Sequence, residues 1–129
     1  MAQDAKKILV VDDERECCEF FRDYLVKRGH EVDVAYDGSE AAGLLDSGGY
    51  DVIFFDCNMP EMSGIEFLKV IKKKNPEAGK VMISGYDLMD EPFARQLGVD
   101  MFLAKPVSLA SIDAAIEKAG TKDCGTENG

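Results

Sequence analysis

The chain reads as a doubly wound α/β domain: a five-stranded parallel sheet, strand order 2-1-3-4-5, covered by five helices. Three observations predict it. Short apolar, β-branched runs alternate with amphipathic stretches five times along 129 residues. Runs such as Ile8-Leu9-Val10-Val11 and Val52-Ile53-Phe54-Phe55 carry apolar residues on both faces, as strands buried on two sides do. Each run leads into a helix, and right-handed crossovers then leave few possible topologies.

Lys7 to Val11 is the first strand. A helix of about Arg15 to Arg28 follows, with Cys17, Phe20, Phe21, Tyr24 and Leu25 on one face and Gly29 as its stop. Glu31 to Tyr36 is the second strand. Asp37-Gly38-Ser39-Glu40 supplies turn chemistry and a cap for a short helix carrying Ala41, Ala42, Leu44 and Leu45, closed by Gly48-Gly49. Tyr50 to Phe55 is the third strand. The loop 56–63 leads into a helix from Gly64 to Lys74, with Ile65, Leu68 and Ile71 facing inward and Asn75-Pro76 ending it. Lys80 to Ile83 is the fourth strand. A short fourth helix is expected over Pro92 to Leu97, with Asp90 as cap. Val99 to Ala104 is the fifth strand. Ser108 caps the final helix, which runs to about Ala119 with Leu109, Ile112, Ala115, Ile116 and Ala119 inward. Residues 1–119 form the domain, and 120–129 read as a disordered polar tail.

Composition excludes several function classes. A length of 129 residues holds one ordinary domain, and 46% hydrophobic with 31% charged residues is a globular composition. Twenty-five acidic against fifteen basic residues give a net charge of −10, which lacks the electrostatic footprint of a nucleic-acid binder and repels anionic membranes. No run is long enough to span a bilayer. Met1 to Lys7 has no apolar core or cleavage pattern, so no signal peptide is expected. Cys17, Cys18, Cys57 and Cys124 show no CxxC spacing and no histidine cluster, which points to a soluble, reduced, cytoplasmic protein. The single histidine, His30, follows the helix-ending Gly29 and is read as a solvated cap residue.

In an open parallel sheet, ligands bind beyond the carboxyl ends of the strands. The first strand ends in Asp12 and Asp13, the third in Asp56, the fourth in Ser84, and the fifth runs into Lys105-Pro106. The strand order brings the three carboxylates to one edge, with Ser84 and Lys105 approaching from the other side. Three carboxylates in one cavity repel, and one lysine does not balance them. An all-oxygen cluster suits a hard cation such as Mg²⁺, whose open positions suit phosphoryl oxygens. An aspartate, ionised at neutral pH, is itself a nucleophile toward phosphorus and needs no general base.

These residues resemble the receiver domain of two-component response regulators, a flavodoxin-like fold. The matching pieces are Ile-Leu-Val-Val-Asp-Asp (8–13), Asp-Gly-Ser-Glu-Ala (37–41), Asp-Cys-Asn-Met-Pro-Glu-Met-Ser-Gly (56–64), Ser-Gly-Tyr (84–86) and Phe-Leu-Ala-Lys-Pro (102–106). They cover about Lys6 to Ala119, and their joint order and spacing make the likeness specific. The resemblance implies that Asp56 accepts a phosphoryl group from a phosphohistidine on a sensor histidine kinase or a histidine phosphotransfer protein. It implies that Asp13, Asp56 and the Asn58 backbone carbonyl bind Mg²⁺, with Asp12 acting through water. Lys105 pairs with the phosphoryl oxygens and Ser84 hydrogen-bonds them. Ser84 and Phe102 form the implied switch, and Pro106 matches the family's cis-proline. The implied downstream partner is a protein docking on the fourth helix, fifth strand and final helix.

Several residues depart from the family's pattern. Ser84 stands where threonine is commoner and Gly85 where alanine is usual. Cys57 beside the acceptor is uncommon, and Asn58 and Tyr86 occupy positions that tune phosphate lifetime in the family. No enzymatic turnover is expected beyond self-catalysed phosphoryl acceptance and slow autohydrolysis. Three rival readings are a haloacid-dehalogenase-type Mg²⁺-dependent phosphatase, a flavodoxin-like cofactor binder, and an adaptor of the same fold that works without phosphorylation. The first needs a second aspartate where Asn58 stands. The second needs a phosphate-cradling loop where Asp12-Asp13-Glu14 stands.

Overall fold

In the computed structural model, residues 5–57, 59, 62–84 and 98–120 are described. They form β1 (Lys7–Val11), α1 (Arg15–Lys27), β2 (Glu31–Ala35), α2 (Gly38–Leu45), β3 (Val52–Asp56), α3 (Gly64–Lys74), β4 (Gly79–Ser84), β5 (Met101–Ala104) and α4 (Leu109–Ala119). The strands make one sheet in the order β2-β1-β3-β4-β5, and every neighbouring pair is parallel. This is the fold expected from the sequence. The helix expected over 92–97 and the tail from residue 121 lie outside the described residues. No helix among the described residues is long and apolar enough to cross a membrane.

The period-two alternation of the strands divides the core into two halves. Ile8, Val10, Val52, Phe54, Val81 and Ile83 face Cys18, Phe21 and Leu25 of α1 and Ile112, Ala115 and Ile116 of α4. Leu9, Val11, Ile53, Phe55 and Met82 face Ala41 and Leu45 of α2 and Phe67, Leu68 and Ile71 of α3. Because β1, β3 and β4 are covered on both sides, their apolar runs are continuous. The helices are set by local signals. Asp37 caps α2 by accepting from the Glu40 amide, and Ser63 caps α3 in a reciprocal capping box with Glu66. Ser108 caps α4 by accepting from the Ser111 amide. Gly29 adopts φ +94°, the left-handed conformation that stops α1.

Three expectations about facing are corrected. On α1, Cys18 joins Phe21 and Leu25 in the core, whereas Cys17 is half-buried and Phe20 is 43% exposed. On α3, Phe67 enters the core and Ile65 is half-buried. On α4, Leu109 is 44% exposed. In each case the covered stripe is narrower than the apolar stripe, because one sheet face covers only part of a helix.

His30 is also corrected, because it is buried and not a solvated cap. Its Nδ1 accepts from the Lys6 amide at 3.1 Å, tying the α1–β2 turn to the start of β1. Burial, and then the charges of Lys6 and Arg28, hold its imidazole below the ordinary value. The unfolded chain therefore binds a proton more readily than the folded one, and stability falls as pH drops through the unfolded value of about 6.5. A His30→Asn variant keeps an acceptor for the Lys6 amide and removes the titration. Urea unfolding between pH 7.5 and 5.5 should give a shallower loss of stability for this variant than for the wild type; equal slopes would remove His30 from the acid response.

Candidate functional site

The carboxyl ends of β1, β3, β4 and β5 carry the polar residues that the strand order brings together. Asp12 follows β1 and is 1% exposed, while Asp13 is exposed. Asp56 ends β3 and is 6% exposed, and Ser84 ends β4 at 1%. The backbone here continues the ladder past the strands. The Asp12 amide donates to Ala35 O at 3.1 Å, the Cys57 amide to Ile83 O at 2.8 Å, and the Lys105 amide to Ser84 O at 2.8 Å. Each functional residue is therefore held by its neighbouring strand.

Asp12 is anchored further. Its Oδ1 accepts from the Glu14 amide at 2.9 Å, and its carbonyl accepts from the Cys18 thiol at 3.3 Å. Burial first, and then the Asp12 carboxylate, push the Cys17 and Cys18 thiols up to about 12, so both stay protonated at neutral pH.

Lys105 reaches the cluster from the loop after β5. Its Nζ lies 3.1 Å from Asp12 Oδ2, 3.2 Å from Glu14 Oε1 and 3.4 Å from Asp56 Oδ2. Burial works to lower its pKa, but Asp12, then Asp56 and Glu14, outweigh it and hold the ammonium above its ordinary value. The lysine stays charged throughout the physiological range. From the sequence Glu14 belongs only to an acidic turn, and its contact with a lysine 91 positions away leaves no local signal.

One ammonium does not satisfy this cluster. Asp12 Oδ2 is buried and has no well-aligned hydrogen bond among the described residues, with the Lys105 ammonium 3.1 Å away as its charge partner. Oxygens of Asp12, Asp13 and Asp56 all lie within 4.8 Å of one another. A buried carboxylate oxygen with unused lone pairs, two further carboxylates in reach and no histidine form a donor set for a hard cation such as Mg²⁺. A second group, Asp12, Glu14 and Cys17, is as compact, but its thiol is protonated and offers a hard cation no anionic ligand. Asn58, expected to add its carbonyl, lies outside the described residues, as do Gly85 and Tyr86.

The remaining sequence-derived residues surround this centre. Phe102 pairs in register with Met82 and packs half-buried against the core on the α2–α3 side. The Lys105–Pro106 peptide is cis. Cys57 is half-buried against the same core. A groove of about 850 Å³ opens beside Lys105, lined by Glu14, Phe20, Phe21, Pro106 and Val107 among others. A smaller cleft of about 360 Å³, lined by Tyr50, Asp51, Asn75 and Gly120, lies at the opposite edge of the sheet and contains none of the site residues.

The geometry depends on Gly64. A Cβ there would lie 2.6 Å from Cys57 Cα and 2.9 Å from Asp56 O, so the start of α3 presses on the backbone that carries Asp56. The Gly64 amide donates to Cys57 O at 2.9 Å across this contact. Gly64→Ala should cost about 1–3 kcal/mol, as overpacking does. Urea denaturation measures it, and an unchanged midpoint would show that the contact yields freely.

A family model for the response regulator receiver domain matches residues 8–117. An uncharacterized transcriptional regulatory protein of Bacillus subtilis, YcbL, is 32% identical over 112 residues. These span 86% of this chain and 49% of YcbL, so the chain spans about half the length of that relative. The response regulator TrrA of Thermotoga maritima, solved with Mg²⁺–BeF, superposes with a TM-score of 0.78 at 31% identity, covering 88% of this chain and 98% of that one. The receiver domain of Saccharomyces cerevisiae Ssk1, solved with the histidine phosphotransfer protein Ypd1, gives a TM-score of 0.80 at 25% identity. The two chains are covered to 92% and 91%.

Proposed function

The chain belongs to the response-regulator receiver family, and from that premise we propose that Asp56 is the point at which it takes up a phosphoryl group. The observation that carries this reading is the convergence of Asp12, Asp56 and the Lys105 ammonium at one sheet edge, with a buried oxygen of Asp12 left without a well-aligned hydrogen bond among the described residues.

In this reading an Asp56 carboxylate oxygen attacks the phosphorus of a phosphohistidine on a sensor kinase or phosphotransfer partner. The P–O bond forms as the P–N bond breaks, and the histidine ring, already protonated at its other nitrogen, takes the electron pair and leaves as neutral imidazole. The product is an acyl phosphate, labile enough for a transient signal. Lys105 turns from the carboxylates to the transferred oxygens, and Ser84 offers them its hydroxyl. Asp12, Asp13 and Asp56, with the carbonyl of Asn58, would hold Mg²⁺, which when bound neutralises charge on the carboxylates and on the transferring group. The groove beside Lys105, bounded by α1 and the loop after β5, gives a partner an apolar approach to the site.

The acyl phosphate adds up to about two negative charges. Movement of Ser84 toward it would release space for Phe102 and shift the population between two packings of β5 and the helices beside it. That repacked face would engage a downstream protein. Nucleic-acid contact and membrane insertion play no part in this reading, which places the domain in the cytoplasm.

Incubation with acetyl phosphate and Mg²⁺ should add one phosphoryl group to the intact mass, lost at alkaline pH and absent in Asp56→Asn. Lys105→Ala should retain metal binding and lose the phosphorylation-driven change; full activation of that variant would remove Lys105 from the mechanism. Millimolar Mg²⁺ should raise the thermal midpoint, because it relieves carboxylate repulsion, and the rise should vanish in Asp12→Asn. A wild-type midpoint that ignores the metal would contradict the metal site.

A further inference from the structure

Among the described residues the Lys105 ammonium has three acidic neighbours, and one of them has no place in the phosphoryl-accepting cluster. Glu14 Oε1 accepts from Lys105 Nζ at 3.2 Å, alongside Asp12 Oδ2 at 3.1 Å and Asp56 Oδ2 at 3.4 Å. The Glu14 side chain is 66% exposed, that of Lys105 21% and that of Asp56 8%. Glu14 is thus the solvent-side partner of an ammonium whose other two carboxylate contacts, Asp12 and Asp56, are buried. Glu14 also occupies the N-cap position of α1, where serine, threonine, aspartate or asparagine ordinarily supplies a capping oxygen. Its side chain makes no cap hydrogen bond and reaches Lys105 instead. Glutamate's extra methylene spans that gap.

We propose that Glu14 is a positioning residue that holds the Lys105 ammonium at the mouth of the site and competes with an incoming phosphoryl group for it. The inference rests on the reading of Asp56 as phosphoacceptor. Before the group arrives, Lys105 is shared among Asp12, Glu14 and Asp56, and the exposed contact keeps it extended. Once phosphoryl oxygens are in place, Lys105 must leave Glu14, so the contact opposes occupancy and favours return to the empty state. An ion pair this exposed is worth little, so the effect is a modest bias.

The test is Mg²⁺-dependent beryllofluoride affinity, read by chemical-shift titration in wild type, Glu14→Gln and Glu14→Asp. Asp keeps the charge but loses the reach, so it separates the contact from the general field of a nearby negative charge. Both variants should bind beryllofluoride more tightly, by about two- to five-fold for Gln, as expected for removal of one exposed ion pair. The Lys105 ammonium resonance should also move in both before any ligand is added. A gain in Gln alone would assign the effect to the field and overturn the proposal, as would unchanged affinity in both. A wild type that binds no beryllofluoride would instead sink the phosphoacceptor reading itself.

Discussion

Charge imbalance at the carboxyl edge of the sheet governs this domain. Oxygens of Asp12, Asp13 and Asp56 lie within 4.8 Å of one another, Glu14 stands beside them, and among the described residues Lys105 answers three of the four, Asp12, Glu14 and Asp56. At an effective dielectric of about 20, two unit charges at that separation repel by about 3 kcal/mol. Lys105 offsets part of this, and its own charge is locked in by the same neighbours. The residual negative potential makes the site receptive to a hard divalent cation.

The rest of the fold keeps those carboxylates from separating. Backbone hydrogen bonds from Asp12, Cys57 and Lys105 extend three strand pairings by one residue, so the functional side chains sit on sheet backbone more than on loops. The Cys18 thiol supports the Asp12 carbonyl from below, and Gly64 lets α3 close against the backbone of Asp56 and Cys57. The buried apolar layers on both faces leave the strands little freedom to adjust. Repulsion that would open a flexible loop is retained here as binding potential.

Much of this was legible in the sequence, because period and punctuation are local. The bounds of β1 and α3 coincide with the expected Lys7–Val11 and Gly64–Lys74, and the placement of Asp12, Asp56, Ser84 and Lys105 followed from strand order alone. What escaped was long-range. β3 begins at Val52, not Tyr50, because the Tyr50 amide donates to Asn75 Oδ1 and Asp51 Oδ2 accepts from the Lys7 amide. β5 begins at Met101, not Val99, after Gly98 at φ +102° and Asp100, whose carboxylate accepts from the Lys80 amide. His30 looked solvent-facing because its partner, the Lys6 amide, is 24 residues away. Glu14 looked like one more acid in a turn because Lys105 meets it only when the sheet has formed.

The central claim is that this crowding makes one particular carboxylate, that of residue 56, the nucleophile. Borohydride reduction of the acyl phosphate, followed by peptide mass spectrometry, reads the site of attachment directly, since it converts a phosphorylated aspartate to homoserine. The account predicts homoserine at position 56 and an unmodified aspartate at positions 12 and 13. Homoserine at either of those positions, or phosphate retained on Ser84 with residue 56 untouched, would contradict it.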